Sequence, residues 1–351
     1  RFICSYFVCT CFQAKFQSSA AAAPYRTMPT STTTSAPNTP SLHWQAGRFR
    51  LNLQQPQIMG IVNVTPDSFS DGGQHADTRS ALLHAEALLH QGANILDIGG
   101  ESTRPGSPAV PLDEELRRVL PVVQQAVAFR VPISVDTYKP EVMQAVLDAG
   151  ADIINDIHAL RWRSGEQGLD GEQVVALHPS CGVCLMHMHR DPQTMQMQPM
   201  QGSPDEAVQT VVGFLQQRAE VLRALGVAKE RIALDAGVGF GFGKTVPQSL
   251  ALLAQQSALL QGGYVVLAAL SRKSTLGAVL EALPPGVTDV AHQSALLPHP
   301  RSLCSVAAAL LAVERGAHIV RVHDVAATRQ ALALWQAVQA CDVRVVSSLQ
   351  G

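Results

Sequence analysis

Ile58-Met59-Gly60-Ile61-Val62-Asn63 and, further on, Asn94-Ile95-Leu96-Asp97-Ile98-Gly99 are short apolar runs, and each carries near its end a side chain that an apolar core would not choose, Asn63 in the first and Asp97 in the second. Runs of this length, bounded by loop residues, read as strands buried on both faces. The pattern returns at Val131 to Asp136, Asp152 to Asp156, Gly182 to His187, Arg231 to Asp235, Tyr264 to Leu270 and Ala317 to His323, which makes eight candidate strands. Amphipathic stretches separate them: Thr78 to His90, Leu112 to Phe129, Lys139 to Ala149, Asp205 to Leu225, Val246 to Leu260 and Val325 to Ala340. Pro140 in a first-turn position and the Ser203-Pro204-Asp205 run mark two helix starts.

Strands alternating with helices imply parallel βαβ units, and eight of them imply an α/β chain folded as a closed (β/α)8 TIM barrel. An open doubly wound sheet is the competing architecture. It is disfavoured because the first strand lacks the Gly-x-Gly-x-x-Gly turn of a dinucleotide-binding sheet. Seven runs place a polar side chain at or near their ends: Asn63, Asp97, Asp136, Asn155, His187, Asp235 and His323. One or two such residues merely mark strand ends. A series of carboxylates and amides at equivalent places is what a site at the carboxyl end of a barrel requires.

The rest of the composition agrees with a single large domain. Of 351 residues, 46% are hydrophobic and 15% charged, enough for a large core. A formal net charge of -2 argues against nucleic acid as a partner, and no uninterrupted apolar stretch is long enough to predict a membrane span. Residues 1 to 40 contain no Asp or Glu and are rich in Ser, Thr, Ala and Pro from Ser18 onward. Residues 1–45 therefore read as a disordered or mis-annotated extension, and 46–345 as the barrel. The chain begins with Arg1, Met28 is a candidate start, and an acid-free, Ser-rich leader also has the character of an organellar transit peptide. The seven cysteines do not form a disulfide framework, and Cys181 and Cys184 read as strand packing in a reducing, cytoplasmic setting.

Two loops carry longer signals. The first strand continues through Asn63-Val64-Thr65-Pro66-Asp67-Ser68-Phe69-Ser70-Asp71-Gly72-Gly73, and the second through Gly99-Gly100-Glu101-Ser102-Thr103-Arg104-Pro105-Gly106. Arg104 offers a planar donor fork for phosphate or carboxylate. With Ser134-Val135-Asp136-Thr137, Ile153-Ile154-Asn155-Asp156-Ile157, Cys184-Leu185-Met186-His187-Met188, Ser271-Arg272-Lys273-Ser274 and Arg321-Val322-His323-Asp324-Val325, the chain from Gln57 to Ala340 resembles the dihydropteroate synthases.

That resemblance implies condensation of 6-hydroxymethyl-7,8-dihydropterin diphosphate with 4-aminobenzoate, releasing diphosphate and yielding 7,8-dihydropteroate. It implies a pterin subsite of Asp136, Asn155, Asp235 and Lys273, since a flat ring edged with donors and acceptors calls for carboxylates and amides. It assigns the diphosphate to Asn63, Arg321 and His323, with Asn63 the contact for Mg2+, a hard cation that leans on substrate phosphates. The 4-aminobenzoate falls to the loop residues Asp71, Thr103, Arg104, Pro105 and Phe242, with Ser274. The amine is already a nucleophile at neutral pH, so no strong base is required. The family's carbon–oxygen bond breaks largely before attack, leaving a pterin cation for Asp136 and Asp235 to stabilise. Small-molecule substrates, a homodimer and sulfonamide inhibition complete the expectation.

Other readings compete locally. Asp136 has an alternative as the cap of the helix beginning near Lys139. His187-Met188-His189 has the spacing of a metal pair, but no matched ligand follows on other strands. Gly237 to Gly243 before Lys244-Thr245 resembles a phosphate cradle, yet Gly-x-x-x-x-Gly-Lys would need its first glycine at Val238. The chain also departs from the family pattern at Ala236, where Pro is usual, at Ala269, where Gly is favoured, at Cys304 and in extra sequence between Leu276 and Ser305. These departures leave a non-catalytic pterin-binding paralogue as one alternative, and a pterin-binding methyltransferase sharing Asp136, Asn155 and Asp235 as another.

Overall fold

A computed structural model describes residues 42–64, 73–102, 107–163, 168–189, 199–239, 243–284 and 299–349, with the side chains of 73–77 and 342–349 left aside. The chain divides into Arg1–Pro40 and Ser41–Gly351; the first unit, and with it most of the expected extension, lies outside the described residues.

The second unit opens with an antiparallel hairpin, β1 (His43–Ala46) and β2 (Phe49–Asn52). Eight parallel strands follow: β3 (Gln57–Asn63), β4 (Ile95–Gly99), β5 (Ile133–Asp136), β6 (Ile153–Asp156), β7 (Gly182–Met186), β8 (Ile232–Asp235), β9 (Val265–Ala268) and β10 (Ile319–Val322). They close in sequence order, β10 pairing with both β3 and β9. The helices are α1 (Gly73–His90), α2 (Leu112–Ala126), α3 (Pro140–Asp148), α4 (Gly171–Leu177), α5 (Pro204–Ala224), α6 (Val246–Ala254), α7 (Ser274–Glu281), α8 (Ser302–Glu314) and α9 (Val325–Leu349). This is the (β/α)8 barrel read from the sequence, with every strand end within two residues of the predicted run.

Alternation along each strand separates two cores. Outward residues such as Val62, Leu96, Ile98, Val135, Ile154, Val183 and Leu234 pack under the helices with Ala81, Leu88, Val119, Val146, Leu215 and Leu222. Inward residues Met59, Ile95, Ile153, Cys184, Ala233, Val265, Leu267 and Ile319 fill the barrel's lower interior. Trp44 and Ala46 of the hairpin join that inner cluster, so the hairpin plugs the floor. The sequence reading placed residues 43–45 in the extension; the structure corrects this, because they form β1. Composition concealed the strand, since a four-residue hairpin arm beside a polar leader leaves little periodicity to detect.

Trp44 is wholly buried, and its indole N–H donates to the Arg231 carbonyl at 3.0 Å. Gly47 N donates to Ser180 O at 2.9 Å, and the Arg48 fork grips Asp152 with Nε–Oδ1 at 2.9 Å and Nη2–Oδ2 at 2.8 Å. Gly47 is obligatory at this turn: its φ is +59°, and a Cβ there would stand 2.7 Å from the Asp152 Cα. Among the described helices, α4, α7 and α8 were not among the stretches named from the sequence. α8 is built largely of Ala and short apolar residues, which favour helix strongly but carry weak amphipathic periodicity. No helix of the described residues is long and apolar enough to cross a membrane.

With the floor dependent on one aromatic plug, Trp44→Ala should destabilise the barrel by about 3–5 kcal/mol in denaturant unfolding. A loss below about 1 kcal/mol would mean that the hairpin is an ornament on a self-sufficient barrel.

Candidate active site

The same alternation that buries the floor brings polar side chains to the barrel's open end. Asn63 is on the face of Met59, Asp136 on that of Ser134, Asn155 on that of Ile153, Asp235 on that of Ala233, and Arg321 on that of Ile319. Register aligns them: Asp136 lies opposite both Gly99 and Asn155, Asn63 lies opposite Gly99, and Asp235 lies opposite Met186.

Arg321 is the centre of the arrangement. Its Nε donates to Asp97 Oδ2 at 2.6 Å and its Nη2 to Asp136 Oδ2 at 2.8 Å. Asp97 also accepts from Ser134 Oγ at 2.5 Å and from Asn155 Nδ2 at 3.3 Å. Asp235 Oδ1 accepts from Gly237 N at 2.8 Å. Asp136 Oδ1 is a buried acceptor without a hydrogen-bond partner. The resemblance assigned Arg321 to the diphosphate; the structure sets two of its three nitrogens on Asp136, of the expected pterin subsite, and on Asp97 beside it.

Burial governs the ionisation of the cluster. It pushes Asp136 up to about 7, against the pull of Arg321 and with the help of Asp97 and Asp156. Asp235 is raised by burial in spite of Lys273, and Lys273 is lowered by burial to about 8 in spite of Asp235. Burial also acts against the Arg321 charge, but Asp97 and Asp136 outweigh it and raise its pKa.

The rim is braced by hydrogen bonds among loop residues. Ser271 Oγ lies 3.0 Å from His323 Nδ1 and accepts from His323 N at 3.2 Å. Arg272 occupies the left-handed region, φ 60°, and its fork holds Asp324 with Nη2–Oδ1 at 2.7 Å. This tight turn delivers Lys273 between Ser271 and the exposed Ser274, the first residue of α7. At the base of the second loop Lys139 bridges Glu101 and Glu115, and Arg118 Nη1 donates to Gly100 O at 2.8 Å. Asp71, Thr103, Arg104, Pro105 and Phe242 lie outside the described residues.

The competing local readings are resolved by contacts. The backbone of Lys139 begins α3 without a side-chain cap, so Asp136 does not serve there. His187 is buried edge-on against Phe214, 4.9 Å between ring centroids, and burial with the nearby Lys244 drives its pKa down to about 2. Lys244 does not serve a phosphate cradle: fully buried, it donates to His187 O at 3.0 Å and Gly237 O at 2.9 Å, stapling the loop after β8 to the end of β7. Cys181 and Cys184 are free and buried, with Cys184 inside the barrel and Cys181 under the helices. Among the described residues no cluster of three His, Cys, Asp or Glu side chains is arranged to hold a metal.

The sequence reading counted Asp97 among the polar residues at the barrel's carboxyl end but assigned it to no subsite. Its period was the available signal, since Asp97 shares the inward face of Ile95. Ser134 carried the same signal, two residues before Asp136 on β5, whereas Lys244 lies on a loop and had none.

A flat, donor-and-acceptor-rich ligand held at the mouth of a (β/α)8 barrel is the class of function these groups define. Residues 59–323 match the family model of pterin binding enzymes. A dihydropteroate synthase of Neisseria meningitidis serogroup B is 45% identical over 298 residues, covering 84% of this chain and 97% of that protein. The Burkholderia cenocepacia dihydropteroate synthase complexed with 7,8-dihydropteroate superposes with a TM-score of 0.72 at 46% identity, covering 87% of this chain and 99% of that one. The Xanthomonas albilineans dihydropteroate synthase with 4-aminobenzoic acid gives 0.72 at 45% identity, covering 86% and 99%. The chain belongs to the pterin-binding enzymes, within the dihydropteroate synthase family.

Raised carboxylate pKa values have a signed consequence. A folded pKa of about 7 for Asp136, above its unfolded value, means that the folded state holds the extra proton between those limits. Stability from this group is present at low pH and declines as pH rises through 7. Asp136→Asn should therefore be near neutral in stability at pH 4 and gain on wild type as pH rises toward 8, measured by thermal unfolding. A pH-independent difference would place the Asp136 carboxyl in its ordinary range.

Proposed function

We propose that this chain condenses 6-hydroxymethyl-7,8-dihydropterin diphosphate with 4-aminobenzoate, forming 7,8-dihydropteroate and releasing diphosphate. The observation that carries this reading is the Asp136 carboxylate: one oxygen is fixed by Arg321, and the other, buried and unpartnered, is an acceptor that suits the donor edge of a pterin. Asn155 and Asp235 extend that edge, and Lys273 supplies a donor to the ring's acceptor atoms. The relatives bound to dihydropteroate and to 4-aminobenzoate support the pairing of substrates.

As carbon–oxygen cleavage develops positive charge on the pterin, Asp136 and Asp235 stabilise it, while His323, set by Ser271, faces the departing diphosphate with Arg321. Asn63, half-buried at the end of β3, offers a hard oxygen that suits Mg2+ held chiefly by phosphate and water. Bound there, Mg2+ would neutralise charge on the leaving group. Ser274 and the start of α7, beside Lys273, suit the carboxylate of 4-aminobenzoate, with Asp71, Thr103, Arg104, Pro105 and Phe242 completing that subsite. A cytoplasmic homodimer belongs to the same proposal: Leu303, Leu311, Leu334 and Val338 expose apolar surface on α8 and α9 that a second copy would cover.

Purified protein should release diphosphate only when given both substrates with Mg2+, and a sulfonamide should block release. Pterin binding without release would instead indicate a non-catalytic paralogue, with Ala236 and Ala269 the first reversions to make. Lys273→Ala should lower turnover at least about tenfold, equivalent to about 1.4 kcal/mol. Turnover near wild type would remove Lys273 from the mechanism.

A further inference from the structure

Asp97 has none of its surface exposed, so no ligand at the barrel mouth touches it. Both of its oxygens are nevertheless committed: Oδ1 to the Ser134 hydroxyl at 2.5 Å, and Oδ2 to Arg321 Nε at 2.6 Å and Asn155 Nδ2 at 3.3 Å. Oδ2 already accepts the Arg321 Nε–H, so what it offers Asn155 is a remaining lone pair. Asn155 must therefore turn its NH2 group toward Asp97, and its carbonyl oxygen is turned away.

The two orientations of a carboxamide are nearly isosteric, and only their hydrogen-bond partners select between them. The choice matters for a ring read by its edge, because one orientation presents an acceptor where the other presents a donor. We infer that Asp97 is a positioning and specificity-determining residue, which fixes the Asn155 amide so that its oxygen meets the pterin while it holds Arg321 against Asp136. The inference rests on the pterin reading of the site. Ser134 has the supporting part: by occupying the second oxygen it stops the Asp97 carboxylate from rotating out of line.

The chemistry predicts an uneven response to substitution. In Asp97→Asn the new amide can keep its oxygen toward Arg321 and Asn155 and give its NH2 to Ser134 Oγ, since a hydroxyl can accept as readily as donate. In Asp97→Leu no acceptor remains, and the Asn155 amide is free to invert. A merely structural ion pair would not separate the two this way, because both substitutions remove the charge.

The experiment measures equilibrium binding of 6-hydroxymethyl-7,8-dihydropterin without its diphosphate to wild type, Asp97→Asn and Asp97→Leu, with thermal unfolding recorded alongside. We expect Asp97→Asn to stay within about threefold of wild type and folded Asp97→Leu to weaken by about tenfold or more, on the scale of one lost buried hydrogen bond. Equal affinity in all three, or equal weakening in both variants, would overturn the role. A neutron structure of the wild-type protein decides the matter even if Asp97→Leu does not fold: deuterium density should place the Asn155 NH2 toward Asp97, and the opposite orientation would overturn the inference. Failure of wild type to bind the pterin would count against the pterin reading, while the neutron map would still test the amide's orientation.

Discussion

Everything at the mouth of this barrel depends on one guanidinium between two buried carboxylates. Arg321 bonds Asp97 and Asp136 at once, and a third carboxylate, Asp235, stands nearby with Lys273. Charges removed from water need partners, and a single arginine does not satisfy so many acids. The strain shows in the protonation of the site, with Asp136 lifted to about 7 and Lys273 lowered to about 8. A donor-rich ligand relieves this imbalance. Binding and charge balance are then two descriptions of the same event.

The closed barrel makes that concentration of charge tolerable. Strands that alternate between an apolar lower interior and a polar mouth let each acid be anchored by backbone on a rigid sheet. Beneath them, Trp44, Met59, Ile95 and Leu267 fill the floor, so the polar layer rests on packed side chains. Ala269 belongs to this inner cluster and Ala236 to the outer one. Both departures from the family pattern are thus accommodated by packing.

The eight strands were legible because each is a short apolar run, and much of the site was legible because period two carries the polar residue of most runs inward, His187, which turns out against Phe214, being an exception. Asp136, Asn155, Asp235, Arg321 and His323 all sit at or beside the carboxyl ends where that reasoning places them. Asp97 was seen with the other polar residues but not given a role, because its strand ends at Gly99 and its carboxylate sits two residues deeper. Lys244 escaped because a lysine after a glycine-rich loop suggests phosphate, whereas its ammonium closes two backbone carbonyls. The floor hairpin and α8 were obscured for a different reason: shortness in one and alanine in the other leave no period to read. Arg321 was expected at the barrel mouth, but its partners depend on contacts between β4, β5 and β10, which no local pattern encodes.

The central claim is that Asp136, lifted by burial to about 7, gives up its proton when a pterin's donor edge arrives. Calorimetric titration of the diphosphate-free pterin at pH 7, in buffers of different ionisation enthalpy, counts the protons exchanged on binding. Omitting the diphosphate keeps that group's own ionisations out of the count. The account predicts net proton release near neutrality that fades at higher pH and is lost in Asp136→Asn. Binding with no proton release at pH 7 would contradict it, because the site would then already hold its carboxylates fully charged.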